Sequence, residues 1–339
     1  VNFLFSLLRI IFTGEYSKNI NFCRPCNNIP IFEQPIIMQA EKSIRPPYLK
    51  KGDCIGIVAP ARKISSEELA PAIAILEGWG LKVKLGKNIC QRDNQYSGTD
   101  AQRRSDFQDM FDDSEVKAII SARGGYGAVR IIDGLNFSSF SKEPKWIIGY
   151  SDITVFHSHV HTHYRIETLH ATMPVSFNKD AESLNLLKKA LFGETISYTV
   201  SAQSWNRKGE NNGVLIGGNL SLLYALASTP SDINTDGKIL FLEDLDEYLY
   251  HIDRMMMQLK RAGKLSKLKG LVIGGFSEMK DNTIPFGKTA EEIIMDVVKE
   301  YNYPVCFGFP AGHGVQNYPL YFGRTVELSV KEKTSLKFL

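Results

Sequence analysis

The chain has 339 residues, of which 43% are hydrophobic and 23% charged, with 27 glycines. Such a composition excludes a disordered or fibrous chain and suits a globular protein of about two domains. Lys and Arg number 40 against 37 Asp and Glu, with no run of like charge, so nucleic acid and anionic membrane surfaces are disfavoured and a small-molecule partner is expected.

The opening "VNFLFSLLRIIF" is an apolar stretch of 12 residues interrupted by Arg9, too short to span a bilayer and without a small-residue cleavage site. Met38 begins "MQAEKSIRPPYLKKGD", which reads as the start of a cytosolic protein, so residues 1–37 are expected to be a non-native or upstream-translated extension. Cysteines stand at 23, 26, 54, 90 and 306; an odd and mostly dispersed set fits a reducing compartment better than a disulfide framework. Cys23 and Cys26 have C-x-x-C spacing, but no second pair follows at zinc spacing and no βαβ pattern surrounds them, so neither a redox nor a zinc role is expected.

From Asp53 onward short apolar runs alternate with amphipathic stretches. "DCIGIVAPA" predicts a buried strand, "SSEELAPAIAILEGWG" a helix opening on a Ser65–Glu68 capping box with its start blurred by Pro71, and "LKVKLG" a second strand. Thr99 and Gln102 stand at capping-box spacing ahead of another helix. "VKAIISA" and "KWIIGY" read as strands, with "GAVRIIDGL" between them as a short helix. Repeated βα units of this kind imply a mostly parallel sheet covered by helices on both faces.

Composition changes after about Leu191, where the polar "SYTVSAQSWNRKGENNGV" reads as a connection between domains. Beyond it, strand-like "KILFLE", "KGLVIGGF" and "PVCFGFP" alternate with helical "EYLYHIDRMMMQLKRAG" and "KTAEEIIMDVVKEY", so the second half is α/β as well. The methionine stripe reads as helix core.

In open α/β sheets, reactive groups gather beyond the carboxyl ends of the strands. Three polar residues sit where a strand-like run gives out: Ser151 after "KWIIGY", Glu243 after "KILFL" and His313 shortly after "PVCFGFP". A hydroxyl, a carboxylate and an imidazole are the parts of a nucleophilic triad. Each residue has a plainer reading too. Ser151 suits a helix cap near Ile153, Glu243 is one carboxylate of the acidic "EDLDE", and His313 is a loop histidine between two glycines. A strand-to-helix turn is equally where a nucleophile elbow forms, with the amide of Asp152 available to an oxyanion, although G-Y-S-D lacks the second glycine of the usual hydrolase motif. "SARGGYGAVR", residues 121–130, is a poor phosphate loop but a glycine turn able to supply a second oxyanion donor. In "HSHVHTHY", His157 with His161 and His159 with His163 form two pairs on opposite helix faces, so the four cannot make one metal site and are expected to be solvated or partly packed.

Taken together, "GDCIGIVAPA", "ARGGYGA", "IIGYSDIT", "TLHATMP", "GGNLSLL", "FLEDLDEYLYHIDRMMMQL" and "GFPAGHG" resemble the LD-carboxypeptidase family of serine peptidases, which includes enzymes that inactivate microcin C; the resemblance runs from about Pro47 to Leu328. It implies an α/β protein with a class I glutamine amidotransferase-like parallel-sheet domain at 46–195 carrying the nucleophile, a linker at 196–212, and an α/β domain at 213–339 carrying acid and base. Residues 1–45 would be an extension for which the family offers no role. The resemblance further implies that Ser151 is the nucleophile, Glu243 the acid and His313 the general base, with the amides of Asp152 and of the Gly124–Gly125 turn as oxyanion hole. No metal or other cofactor is implied. The implied protein is a cytoplasmic homodimer, without nucleic-acid or membrane partners, that releases the terminal D-alanine of murein tetrapeptides by cutting an L-to-D bond. "TLHATMP" departs from the family pattern, having Ala171 and Thr172 where a glycine and often a proline are expected, which bears on the wall of the substrate pocket. Two alternatives share the fold: a microcin C-type peptidase acting on aminoacyl or peptidyl nucleotides, and a non-catalytic peptide-binding homologue.

Overall fold

The computed structural model of the protein describes residues 43–339; the apolar opening, Cys23, Cys26, Met38 and most of the expected extension fall outside them. Strands β1 (Cys54–Val58), β2 (Lys82–Leu85), β3 (Val116–Ser121), β4 (Trp146–Gly149) and β5 (Thr168–His170) lie parallel in the order β2-β1-β3-β4-β5. Helices α1 (Ser66–Gly78), α2 (Asp100–Asp112), α3 (Ser138–Lys142), α4 (Thr154–Tyr164) and α5 (Ala181–Leu191) accompany them. The central strands β3 and β4 are buried nearly throughout, as parallel strands covered on both faces must be.

The capping boxes form as the spacing predicts. The Ser65 hydroxyl accepts from the Glu68 amide at 3.2 Å while the Glu68 carboxylate accepts from the Ser65 amide at 2.9 Å, and Thr99 and Gln102 repeat the exchange ahead of α2. Each such cap stabilises its helix by about 1 kcal/mol. Pro71 lies inside α1 and not at its start, because the box fixes the first residue at Ser66 and the proline removes only the bond to the Glu67 carbonyl. "GAVRIIDGL" forms two successive 3₁₀ turns, Ala128–Arg130 and Ile132–Gly134, where one short helix is expected.

The second sheet is built from β6 (Ser197–Ser201), β7 (Gly209–Asn219), β8 (Ile239–Leu245), β9 (Gly270–Ser277) and β10 (Val305–Cys306), interleaved with α6 (Leu220–Leu226), α7 (Leu249–Arg261) and α8 (Ala290–Val298). After β10 come β11 (Leu320–Phe322), β12 (Thr325–Val330) and β13 (Lys333–Phe338). Its order is β10-β9-β8-β7-β12-β13-β6, parallel from β10 to β7 and antiparallel from there on. The stretch 196–212, expected as a plain connection, therefore contains a whole strand and the start of another. Only Tyr198 of β6 is buried, its neighbours facing solvent, and an antiparallel strand with one wet face carries little apolar signal.

β11, although it lies between β10 and β12 in the chain, stays out of the second sheet and pairs antiparallel with β5, making the first sheet mixed. One face of each sheet contributes to a shared core, with Ile57, Ile120 and Ile148 from the first and Leu215, Ile239 and Val272 from the second. The β11 aromatics bridge them, Tyr321 against Trp146 at 5.5 Å and Phe322 against Phe241 at 6.1 Å between ring centroids. Just beyond β11, Arg324 donates to Glu167 Oε2 from Nε at 2.9 Å and from Nη2 at 2.5 Å, and its guanidinium lies 3.5 Å over the Tyr321 ring. Met255 and Met256 of α7 are fully buried in the outer core of the second sheet, whereas Met257 is exposed.

Candidate active site

The carboxyl ends of the parallel strands of both sheets open on one cavity of about 380 Å³. The first sheet lines it with Arg62 beyond β1, Gly124 and Gly125 beyond β3, and Ser151 beyond β4. The second contributes Asn219 at the end of β7, Asp244 and Asp246 at the end of β8, and His313 beyond β10.

Ser151 has φ +62°, a left-handed conformation rare for a residue with a side chain and worth about 1–3 kcal/mol of strain. It opens a 3₁₀ turn, Ser151–Ile153, that runs into α4, and it makes no side-chain cap hydrogen bond. The helix-cap reading of this serine is thereby corrected: the turn holds the hydroxyl up from the backbone instead of folding it onto an amide. Gly149, at φ +155°, permits the turn because a Cβ there would lie 2.8 Å from the Ile153 side chain.

Gly124 lies against the serine; a Cβ at this position would stand 3.1 Å from Ser151 Cβ and 3.2 Å from Oγ. The glycine turn is fixed from two sides. The fully buried Asp152 carboxylate accepts from the Ala128 amide at 2.8 Å, and the buried Arg103 donates to the Gly127 carbonyl at 3.0 Å. Burial pushes the Asp152 carboxyl up to about 7, opposed by hydrogen bonds from the Ala128 and Gly127 amides.

His313 Nδ1 stands 2.6 Å from Glu243 Oε2, and the Glu243 side chain is wholly shielded from solvent. Gly312, at φ +107°, leaves room for this contact, since a Cβ there would fall 2.7 Å from Glu243. Burial alone would pull the His313 imidazole down, but the Glu243 charge and hydrogen bond outweigh it, and the net shift is upward. The loop carrying His313 is tied down at both ends of a bridge: Asn317 Oδ1 accepts from the Gly312 amide at 2.9 Å, and the Asn317 amide donates to Ser183 Oγ of α5 at 2.9 Å.

Ser151 and His313 thus line one cavity with Gly124 and Gly125, Asp152 follows the serine, and Glu243 stands behind the imidazole, inside β8 and not beyond the end of its strand as expected, because the strand continues to Leu245. The Ser151 hydroxyl has no hydrogen-bond partner among the described residues and makes no hydrogen bond with His313.

Further residues emerge that strand-end reasoning did not single out. Asp244 is buried, and its carboxylate accepts from Asn219 Nδ2, the Ser221 amide, Ser221 Oγ and the Leu245 amide, each at 2.9 Å. Burial first, and Glu243 second, push its carboxyl up to about 6. The Asn219 amide donates to Thr154 Oγ1 at 3.0 Å, joining the end of β7 to the helix that follows the serine. Had "NNGVLIGGN" been read as a strand, Asn219 would have been found at its carboxyl end by the same rule.

The histidine run is more deeply packed than expected. His157 is buried and bonded to Thr168 Oγ1 and the Gly149 carbonyl, His161 meets Lys238 Nζ, and His159 bonds Ser231 Oγ. Burial lowers His157 and His159 to about 4 and His161 to about 3. Among the described residues no group of three or more His, Cys, Asp or Glu is arranged to hold a metal ion.

Comparison with known proteins agrees over most of the chain. Residues 55–171 match the LD-carboxypeptidase N-terminal domain and residues 212–328 the LD-carboxypeptidase C-terminal domain. A probable murein peptide carboxypeptidase of Bacillus subtilis is 37% identical over 303 residues, covering 86% of this chain and 93% of the relative. The crystal structure of a muramoyltetrapeptide carboxypeptidase from Oxalobacter formigenes superposes with TM-score 0.77 at 29% identity, covering 84% of this chain and 98% of that one. An MccF-like protein from Bacillus anthracis superposes with TM-score 0.76 at 25% identity, covering 88% and 99%. With both domains matched and the identity sustained across nearly the whole relative, the chain belongs to the LD-carboxypeptidase family of serine-type hydrolases.

Proposed function

We propose that the protein is a serine carboxypeptidase that removes the terminal D-alanine from murein tetrapeptides by hydrolysing an L-to-D peptide bond in the cytoplasm. The observation that carries this reading is the buried Glu243–His313 pair, at 2.6 Å, opening on the same cavity as a serine held at φ +62°. His313 takes the Ser151 proton as Oγ attacks the carbonyl preceding D-alanine. The amide of Asp152 and one of the Gly124–Gly125 turn receive the oxyanion, helped by the amino end of the helix behind the serine. His313 then returns the proton to the departing amine, and water repeats the sequence on the acyl-enzyme. Glu243 orients the ring and stabilises its charged form.

In this reading residues 46–195, resembling class I glutamine amidotransferases, supply nucleophile and oxyanion donors, and residues 213–339 supply acid and base. The protein acts as a homodimer. The reading is supported by the relatives' described substrates, a murein peptide and a muramoyltetrapeptide. Among the described residues no helix is long and apolar enough to cross a membrane.

The test is release of D-alanine from a murein tetrapeptide, followed by chromatography, with Ser151→Ala as control. A second reading, favoured by the likeness to the MccF-like protein, is hydrolysis of an aminoacyl or peptidyl nucleotide. Turnover of an aminoacyl sulfamoyl adenosine with none of the tetrapeptide would select it. Binding of tetrapeptide without hydrolysis of either compound would mark a non-catalytic homologue.

A further inference from the structure

A carboxypeptidase differs from other peptidases in what lies next to the bond it cuts. The free carboxylate of the departing residue sits one residue, about 3.8 Å of backbone, past the scissile carbonyl. Inside a half-enclosed cavity that charge must be met by a cation or remain desolvated and unpaired. The cavity's charged residues can be sorted by whether they are already engaged.

Asp244 is saturated by its hydrogen-bond donors, Asp246 is paired with Lys280 Nζ at 2.5 Å, and His313 is bound to Glu243. Arg123 donates to the Lys63 carbonyl at 3.1 Å and to Glu68 Oε1 at 3.4 Å. The Arg62 guanidinium alone among them makes no hydrogen bond or ion pair with any described residue, although it lines the cavity.

Its placement fits the same need. Arg62 follows β1, at the point where the sheet order turns from β1-β2 to β1-β3 and a crevice opens at the carboxyl edge. Its aliphatic stem lies across Gly125, where any Cβ would collide with Arg62 Cγ and Cδ. Gly125 adjoins Gly124, which touches Ser151. The glycine turn is therefore a continuous surface from the proposed nucleophile to an unpaired fork of N–H donors that matches a carboxylate in shape.

Resting on the carboxypeptidase reading, we infer that Arg62 is the specificity-determining residue that binds the substrate's terminal carboxylate. The Gly125 position, besides permitting φ +122°, provides the seat for its stem. The test compares a murein tetrapeptide ending in a free carboxylate with the same peptide ending in a carboxamide, in the wild type, Arg62→Gln and Arg62→Lys. Wild type is expected to prefer the acid in kcat/KM by about tenfold to a hundredfold, the range for a hydrogen-bonded charge. Arg62→Gln brings the acid-to-amide ratio close to one, and Arg62→Lys restores part of it. A ratio unchanged in Arg62→Gln, or a loss shared equally by acid and amide, overturns the inference. Calorimetric binding of both peptides to Ser151→Ala, with and without Arg62→Gln, reads the same contrast without turnover. Absence of D-alanine release by the wild type would thus count against the hydrolytic reading, while the binding ratio still decides for or against Arg62.

Discussion

The first sheet presents its residues to the cavity through backbone conformation, and the second through side-chain bonds. Around Ser151 the chain adopts positive φ at Gly125, Gly127, Gly149 and the serine itself. Around His313 a single glycine, Gly312 at φ +107°, makes room, and side-chain contacts hold the rest, with Glu243 behind the ring and Asn317 under the loop. The acid–imidazole pair is complete within one half of the molecule, whereas the proposed serine–imidazole contact would join the two halves. The fastenings that cross the halves, Thr154 with Asn219, Ser183 with Asn317 and Glu167 with Arg324, therefore set the distance on which the proposed chemistry depends.

Removing the backbone-held partner should have the largest effect. Ser151→Ala is expected to reduce kcat by about 10⁴-fold or more while leaving peptide binding measurable by calorimetry; residual turnover near wild type would remove the serine from its proposed role. Glu243→Gln disables the side-chain-held pair and is expected to reduce kcat by about 10²–10⁴-fold. It also tests the electrostatics. His313 must be neutral to accept a proton, and Glu243 raises its pKa, so activity should fall as pH drops through a value above 6.5. In Glu243→Gln burial dominates, and this acidic limb moves to lower pH. The same shift gives a sign for stability: the contribution of protonated His313 is full below the unfolded value of about 6.5 and is lost as pH rises through the higher folded one.

The joint between halves is next in size. Arg324→Ala leaves the Glu167 carboxylate buried without its main partner and should lower unfolding free energy by about 3–5 kcal/mol in denaturant titration. Asp152 offers the finest distinction. Its carboxyl is raised to about 7, so its contribution to stability becomes less favourable as pH climbs from about 4, its ordinary value, to 7. Asp152→Asn keeps an oxygen for the Ala128 amide without the charge and should melt higher than wild type at pH 8. Asp152→Ala strands that amide and should cost about 1–3 kcal/mol. Identical melting of all three at pH 8 would show that this carboxylate does not hold the glycine turn.

Local signals explain what was legible. Ser65–Glu68 and Thr99–Gln102 mark helix starts because the interaction spans only three residues, and "VKAIIS" and "WIIG" declare buried parallel strands by continuous apolarity. The rule that reactive groups lie beyond strand ends offered Ser151, Glu243 and His313 only as candidates beside plainer readings, their roles being implied by the family resemblance, and for Glu243 it misplaced the residue, which lies within β8 because the strand runs on through Asp244 to Leu245. What stayed hidden depends on partners distant in sequence. β6 and the first half of β7 are half-wet, so their polarity reads as loop until β12 and β13 are known to pair beside them. Arg62 carries no motif; its significance appears only when Gly125 comes under its stem and every other cavity charge proves engaged.

The exchange of β11 into the first sheet has a consequence for biosynthesis. As the polypeptide emerges from the ribosome, β1 to β5 can assemble early, but β5 remains a bare edge until Leu320–Phe322 arrives. That row of unpaired amides and carbonyls invites non-native pairing between nascent chains. A fragment ending between the halves should be prone to aggregate, and a ribosome-bound chain carries no completed site until nearly the whole second sheet has been translated.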